Sequence, residues 1–198
     1  GLARLSSAMG WLSIRYPTYT LEDRLKQFKA LDLPFQPGTS IRFNDFFVPY
    51  IVSDSDRGGA FALGTVTEFQ RGPQLQFLKR LAQGRLSEMG GGGFVDMDHL
   101  IRLLDFGRAT HEIWERMPPS SKEWVEGFVA GLNCVQKQRK RGVDEKFLGI
   151  RPEPYTPQDI LLFGRLAGQQ GQDRGQFQRE QQQGLRGQRA GVVRQDQD

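Results

Sequence analysis

The chain has 198 residues, 37% of them hydrophobic, with 24 glycines and a formal net charge of +4. That apolar share lies below the roughly 45–50% of ordinary globular chains, so a core is expected along part of the chain only. The charge is too weak and too dispersed for a dedicated nucleic-acid binder, one cysteine excludes an internal disulfide framework, and no apolar run reaches the roughly 18 residues of a membrane span.

Residues 1–16 lack the apolar stretch of a signal peptide, so any targeting segment is expected to be absent or already removed. Thr20-Leu21-Glu22-Asp23 opens a short helix with Leu21, Leu25 and Phe28 on one side. Ile41–Phe43 and Val48–Val52 read as strands bracketed by turn residues, and Pro49 places the second at an edge or bulge. From Ala60 the spacing of Leu63, Val66, Phe69, Phe77, Leu78 and Leu81 predicts a helix, which Gly72-Pro73 should kink. The stretch KRLAQGRLSEMGGGG, residues 79–93, reads as its basic end followed by a flexible connector. Within it Arg85 and Glu88 form a surface pair of small energetic weight.

A second helix is expected from Asp96, as N-cap, through Leu100, Leu104 and Trp114 to Met117, where Pro118-Pro119 stops it. Ser120-Ser121-Lys122-Glu123 has the spacing of a capping box, and Trp124, Phe128 and Leu132 form the stripe of the next helix. Lys137, Arg139, Lys140 and Arg141 read as a solvated basic helix end. Thr156-Pro157-Gln158-Asp159 starts another helix, with Thr at the N-cap and Pro in the first turn. Near residue 165 the composition changes: residues 165–198 hold eleven glutamines and few large apolar side chains, too little burial to offset ordering entropy.

The residue types that carry chemistry are sparse. His111-Glu112-Ile113-Trp114-Glu115 approaches the zinc motif H-E-x-x-H but ends in Glu, and His99 is about three helical turns away. A solvated helix face is the simpler reading. Cys134 follows an apolar stripe and reads as a small buried thiol. Gly90–Gly93 lacks the Gly-Lys-Ser/Thr of a phosphate loop. No complete catalytic constellation emerges.

An ordered series of short segments carries further. It runs Ile41-Arg42-Phe43, Val48-Pro49-Tyr50-Ile51, Ala62-Leu63-Gly64, Arg71 with Gln74, Lys79-Arg80 and Gly84-Arg85-Leu86-Ser87-Glu88. It continues with residues 125–133, VEGFVAGLN, then Pro152-Glu153-Pro154-Tyr155-Thr156-Pro157-Gln158-Asp159, and ends at Gly164-Arg165-Leu166-Ala167-Gly168. In this order residues 40–168 resemble the α chain of the penicillin acylase family of N-terminal-nucleophile hydrolases, whose patterns include V-P-H-I, G-R-L-S-E and P-E-P-W-T-P-x-D. Glu68-Phe69-Gln70-Arg71 departs from the family's A-Q-D-R or A-H-x-R, and beyond Gly168 the resemblance fades into the Gln-rich segment 169–198.

The resemblance implies an α+β fold. A mostly helical single subunit, 1–198, with one or two short strands would complete an αββα sandwich together with a larger β chain from the same precursor. It implies that the precursor cuts itself to expose Ser, or less often Thr or Cys, at the start of that β chain. The freed α-amine, with an unperturbed pKa of about 7.7–8.0, then serves as base, while backbone and Asn donors hold the oxyanion. Residue 1 of this chain is Gly, so the chain is expected to supply no catalytic residue. It implies an N-acyl amide substrate, with Gly168, Gln169 and Gln172 placed to line the acyl pocket. No cofactor enters the chemistry; a structural calcium ion occurs in some relatives, with Glu180 the candidate ligand here. The family is mostly bacterial and often periplasmic. A rival reading makes the chain a basic adaptor that binds nucleic acid or acidic surfaces through Lys137–Arg141 and the Arg/Gln tail. Trp11, Trp114 and Trp124 lie outside those basic segments, so no stacking platform interleaves with the charge.

Overall fold

The structure, a computed structural model, describes residues 19–168. Helix α1, Leu21–Lys29, begins at a capping box: the Thr20 hydroxyl accepts from the Asp23 N–H while the Asp23 carboxylate accepts from the Thr20 N–H. It buries Phe28, which meets Phe43 and Phe69 edge-on at 5.0 and 5.1 Å between ring centroids.

Strands β1, Ser40–Phe43, and β2, Pro49–Val52, pair antiparallel with Ile41 opposite Ile51 and Phe43 opposite Pro49. Pro49 is tolerated because this sheet of the described residues has only two strands, both at an edge. Their turn is held by Asn44, whose side-chain oxygen accepts from the Phe46 and Val48 N–H groups. Phe47 there has a left-handed φ of 60° and stacks on Phe43 at 4.7 Å. The inward face of the hairpin is Ile41, Phe43 and Ile51; Tyr50 and Val52 point outward and are exposed.

Helix α2, Asp56–Ala82, starts at Ser55, whose hydroxyl accepts from the Gly58 N–H. Its helical geometry breaks at Arg71, φ −133° and ψ 17°, directly before Gly72-Pro73. The expected kink is therefore present. Val66 is buried as expected, but the buried face is not the expected apolar stripe throughout. Leu63 and Phe77 are exposed, whereas Thr65, Glu68, Gln76, Lys79 and Arg80 are buried.

The connector after α2 is ordered as a short helix α3, Ser87–Gly90, and a 3-10 turn, Gly91–Phe94, leading directly into α4, Val95–Leu104. Asp96 lies inside α4 and is not its cap. The expected single helix to Met117 is interrupted: Asp105 adopts a left-handed conformation, and α5 is Thr110–Arg116. Between them Phe106 turns inward against Ala82 and Leu162, a burial that a continuous helix would forgo.

Helix α6, Pro119–Gln138, begins with Pro118 at the cap and makes no side-chain cap bond, so Ser120 and Glu123 form no capping box. Proline at the first position already suits a helix start. α2 and α6 lie side by side and run in the same direction. A Cβ on Gly64 would sit 2.1 Å from the Phe128 carbonyl, and one on Gly131 would sit 2.1 Å from the Phe61 carbonyl. Glycine at both positions is what lets the two backbones meet. Val125, Val129, Leu132 and Tyr155 form the core beside this crossing, with Trp114, Ile160 and Phe163 packed against it. The short helix α7, Val143–Phe147, follows, then an extended segment over residues 151–156 and helix α8 over residues 157–168.

Candidate functional site

The extended segment before α8 crosses α2 and α6, and it is held there by side chains instead of by a strand ladder. Gln76 brackets the Glu153 peptide, accepting from its N–H at 3.0 Å and donating to its carbonyl at 2.8 Å. Asn133 treats Tyr155 the same way, at 2.8 and 2.9 Å. Arg80 donates to the Arg151 carbonyl at 2.7 Å and Lys79 to the Pro154 carbonyl at 2.7 Å. In this way main-chain groups that a sheet would pair are satisfied by the helices.

Charge reinforces the arrangement. Lys79 and Arg80 are only 5% and 3% exposed. The Lys79 ammonium lies 3.0 Å from the Asp159 carboxylate, and the Glu153 carboxylate receives Arg80 at 3.2 Å and Arg85 at 2.7 Å. Arg85 also holds Glu88 at 2.7 Å, so the pair expected to be a simple surface contact is the outer edge of a network. Hydrogen bonds from Arg85 hold the Glu153 carboxyl below the usual carboxylate range. Asp159 works in both directions: it accepts from Lys79, from Gln83 at 2.9 Å and from the Thr156 N–H at 2.8 Å. The Thr156 hydroxyl accepts in return from the Asp159 N–H at 3.3 Å, so Thr156 is the N-cap of α8 as the Thr156-Pro157-Gln158-Asp159 pattern predicts.

A second ionic group lies at the kink of α2. Arg139 donates to Glu68 at 2.7 Å and to Glu145 at 2.7 Å, and both glutamates are 0% exposed. The Tyr155 hydroxyl donates to the other Glu68 oxygen at 2.9 Å. One guanidinium thus serves two buried carboxylates, and their titration differs. Burial pushes the Glu68 carboxyl up, against the opposing pull of Arg139 and Tyr155. Burial also acts to raise Glu145, but bonds from Arg139 and the Gly142 N–H outweigh it and hold it low. The Tyr155 hydroxyl is pushed up by burial and by the charge of Glu68.

The basic run at the end of α6 is solvated only in part: Lys137 and Lys140 are exposed as expected, whereas the two arginines bond within the chain. Arg139 is committed to these glutamates, and Arg141 donates to the Glu145 and Ile150 carbonyls at 3.1 and 2.6 Å. Cys134 is half-buried, with its sulfur 3.6 Å from the Asp32 carbonyl. His111 faces Glu115 at 3.2 Å on an exposed helix side. Among the described residues no group of three or more His, Cys, Asp and Glu is arranged to hold a metal ion, and no helix is long and apolar enough to cross a membrane. Gly168 is the last described residue and is exposed; Gln169, Gln172 and Glu180 lie outside the described residues.

Several of the segments that carry the family resemblance meet in this clamp: Lys79-Arg80, Gly84 to Glu88, Asn133 and Pro152 to Asp159. The sequence profile described as Penicillin amidase matches residues 38–196. The chain belongs to the penicillin amidase family. The match extends past Gly168, through most of the Gln-rich segment in which motif reading alone finds nothing.

This family member is 33% identical over 126 residues to an acyl-homoserine lactone acylase, QuiP, of Pseudomonas fluorescens strain Pf0-1, a match covering 63% of the chain and 15% of the relative. It is 29% identical over 168 residues to the QuiP acylase of Pseudomonas aeruginosa, covering 83% and 19%. The penicillin acylase 2 proenzyme of Pseudomonas sp. strain SE83 is 27% identical over 122 residues, covering 61% and 16%. The chain therefore spans less than a fifth of the length of these relatives. Among solved structures, the thermostable penicillin G acylase of Alcaligenes faecalis superimposes with a TM-score of 0.58 at 19% identity, over 63% of this chain and 69% of that one. The mostly helical chain with a two-stranded sheet is thus a penicillin acylase fold.

Gln76 in the clamp and Glu68 and Glu145 in the Arg139 group carry much of these two networks, and sequence reasoning assigns them no role there. One signal is present. Glu68, Gly72, Gln76 and Arg80 recur every four residues, a single stripe on α2 without a large apolar side chain.

Proposed function

We propose that this family member is the α chain of a two-chain amidohydrolase that cleaves an N-acyl amide bond. The nucleophile stands at the start of a separate, larger chain released from the same precursor. The observation that carries the reading is the family match over residues 38–196, joined to where its motif residues lie. Lys79, Arg80, Arg85, Glu153 and Asp159 bind one another and the main chain, which suits a scaffold and leaves the chemistry to the partner. In this reading the chain covers the catalytic sheet, and from α8 onward, including Gly168, Gln169 and Gln172, it walls the acyl pocket.

N-acyl-homoserine lactones fit the substrate best, because the relatives aligned over the longest stretches carry that name. Acylated β-lactams and N-acyl amino acids are the comparison substrates. A structural calcium ion at Glu180 and a periplasmic location belong to the same proposal. Commitment of Arg139 and Arg141 to partners within the chain speaks against the basic-adaptor reading.

Expression of the full reading frame, followed by electrophoresis, Edman sequencing and mass-spectrometric substrate assays, tests this. Two chains are expected, the larger beginning with Ser, Thr or Cys, together with release of a free carboxylic acid. A single uncut polypeptide, or two chains inert toward every N-acyl amide offered, overturns it.

A further inference from the structure

The clamp around Glu153 is unusual in what it spends its charge on. Buried ion pairs are poor stabilisers compared with apolar packing of the same volume, because desolvation offsets their attraction. Here the Lys79–Asp159 pair is buried on both sides, and the half-buried Glu153 carboxylate beside it gathers Arg80 and Arg85. Glu153 meets Arg80 from the shaft of α2 and Arg85 from the turn beyond its end. Lys79 stands 4.0 Å from the same carboxylate and 3.0 Å from Asp159 in the first turn of α8. The turn is itself determined: Gly84 has φ +62°, and a Cβ there would lie 2.7 Å from the Asp98 carbonyl.

Past its first turn α8 meets α2 and the core through apolar contacts, Leu162 on Ala82 and Phe106 and Phe163 against the core, and the α4–α5 turn through one hydrogen bond, from Arg165 to the Phe106 carbonyl at 2.5 Å. Apolar contacts are non-directional and tolerate sliding and rotation. The ionic contacts at Glu153 and Asp159 are directional and come from α2 and the turn at its end, so they, unlike the Arg165 bond to the α4–α5 turn, fix the register of α8 on α2.

We propose that Glu153 is a positioning residue: its clamp fixes where α8 leaves the α2–α6 pair and thereby sets the depth of the acyl pocket, hence the preference for acyl-chain length. The proposal rests on the reading that α8 walls that pocket. In this proposal Glu153 acts through α8 and not on the reacting atoms.

The test uses the assembled two-chain enzyme carrying Glu153→Gln, which keeps size and removes charge. Kinetics with short- and long-chain N-acyl-homoserine lactones are measured beside amide hydrogen exchange over residues 160–168. The expected result is a shift in the long-to-short KM ratio on the order of tenfold, a smaller change in kcat, and faster exchange in α8 with α2 and α6 unchanged. Glu153→Asp, which retains the charge, recovers most of both effects. A lowered melting temperature with the KM ratio and α8 exchange both unaltered overturns the proposal, since that is the signature of a merely structural residue. Should Glu153→Gln fail to assemble, Gln83→Ala removes one bond to Asp159 at a half-buried position and is held to the same two readouts. A wild-type enzyme inert toward every N-acyl amide sinks the acylase reading, whereas unchanged α8 exchange in the variants sinks the clamp independently of activity.

Discussion

Arg139 stands between two carboxylates that are both fully buried, Glu68 and Glu145. Removing it strands both, and loss of one partner from a buried pair typically costs about 3–5 kcal/mol. Arg139→Met is expected to lower stability on that scale, measured as the fall in the urea midpoint. The two glutamates should then respond oppositely to pH. Glu145 has a lowered pKa in the fold, so its contribution is present above its unfolded value and vanishes as pH falls through the folded one. Glu68 has a raised pKa, so its contribution is present below the unfolded value and is lost as pH rises through the folded one. Glu145→Gln is therefore expected to destabilise at neutral pH and to matter progressively less in acid. Glu68→Gln should cost less at neutral pH, because burial already disfavours the charge it removes. Urea midpoints followed from about pH 4 to pH 8 separate the two; equal losses at neutral pH would refute the assignment. Sequence pattern alone leaves Glu68 undistinguished, since a glutamate among helical residues is ordinarily solvated.

The close approach of α2 and α6 depends on glycines at their crossing. Gly64→Ala and Gly131→Ala each drive a methyl group into a partner carbonyl that belongs to helix backbone and cannot swing aside. Overpacking of this kind costs about 1–3 kcal/mol. Gly107, in the turn between α4 and α5, has open space where a methyl group would stand, so Gly107→Ala should stay within about 0.5 kcal/mol of the parent. Thermal melts of the three variants check the contrast. Local chemistry makes several elements legible in the sequence: the Thr20 start of α1, the strand pair, the break at Gly72-Pro73 and the Thr156 start of α8. It fails where a non-local contact wins. The expected long helix through residues 96–117 breaks because burying Phe106 against Ala82 and Leu162 outweighs helical continuity.

The whole chain leaves large apolar side chains exposed on one side of its sheet and on α2, among them Tyr50, Val52, Leu63 and Phe77. The buried face of α2 is small and apolar in its first half and carries Glu68, Gln76, Lys79 and Arg80 further along. Exposed apolar side chains gathered in this way suit a chain that lies against a partner. Under the proposed two-chain assembly, the double variant Tyr50→Ser, Val52→Thr is expected to reduce recovery of the smaller chain with a tagged larger one, and to leave the clamp intact. Undiminished co-purification would remove the sheet's outer face from the interface.

Taken by itself, the sequence determined the family, through the order of its short motifs, and the elements whose ends are set by neighbouring residues. Only the tertiary structure decided what the motif residues do. Lys79 and Arg80 look like a solvated helix end until Glu153 and Asp159, more than seventy positions away, fold over them. Four-residue spacing on a helix puts side chains on one face, but it does not say whether water or an opposite charge will meet them there. That is settled by whichever distant segment the rest of the chain lays across it.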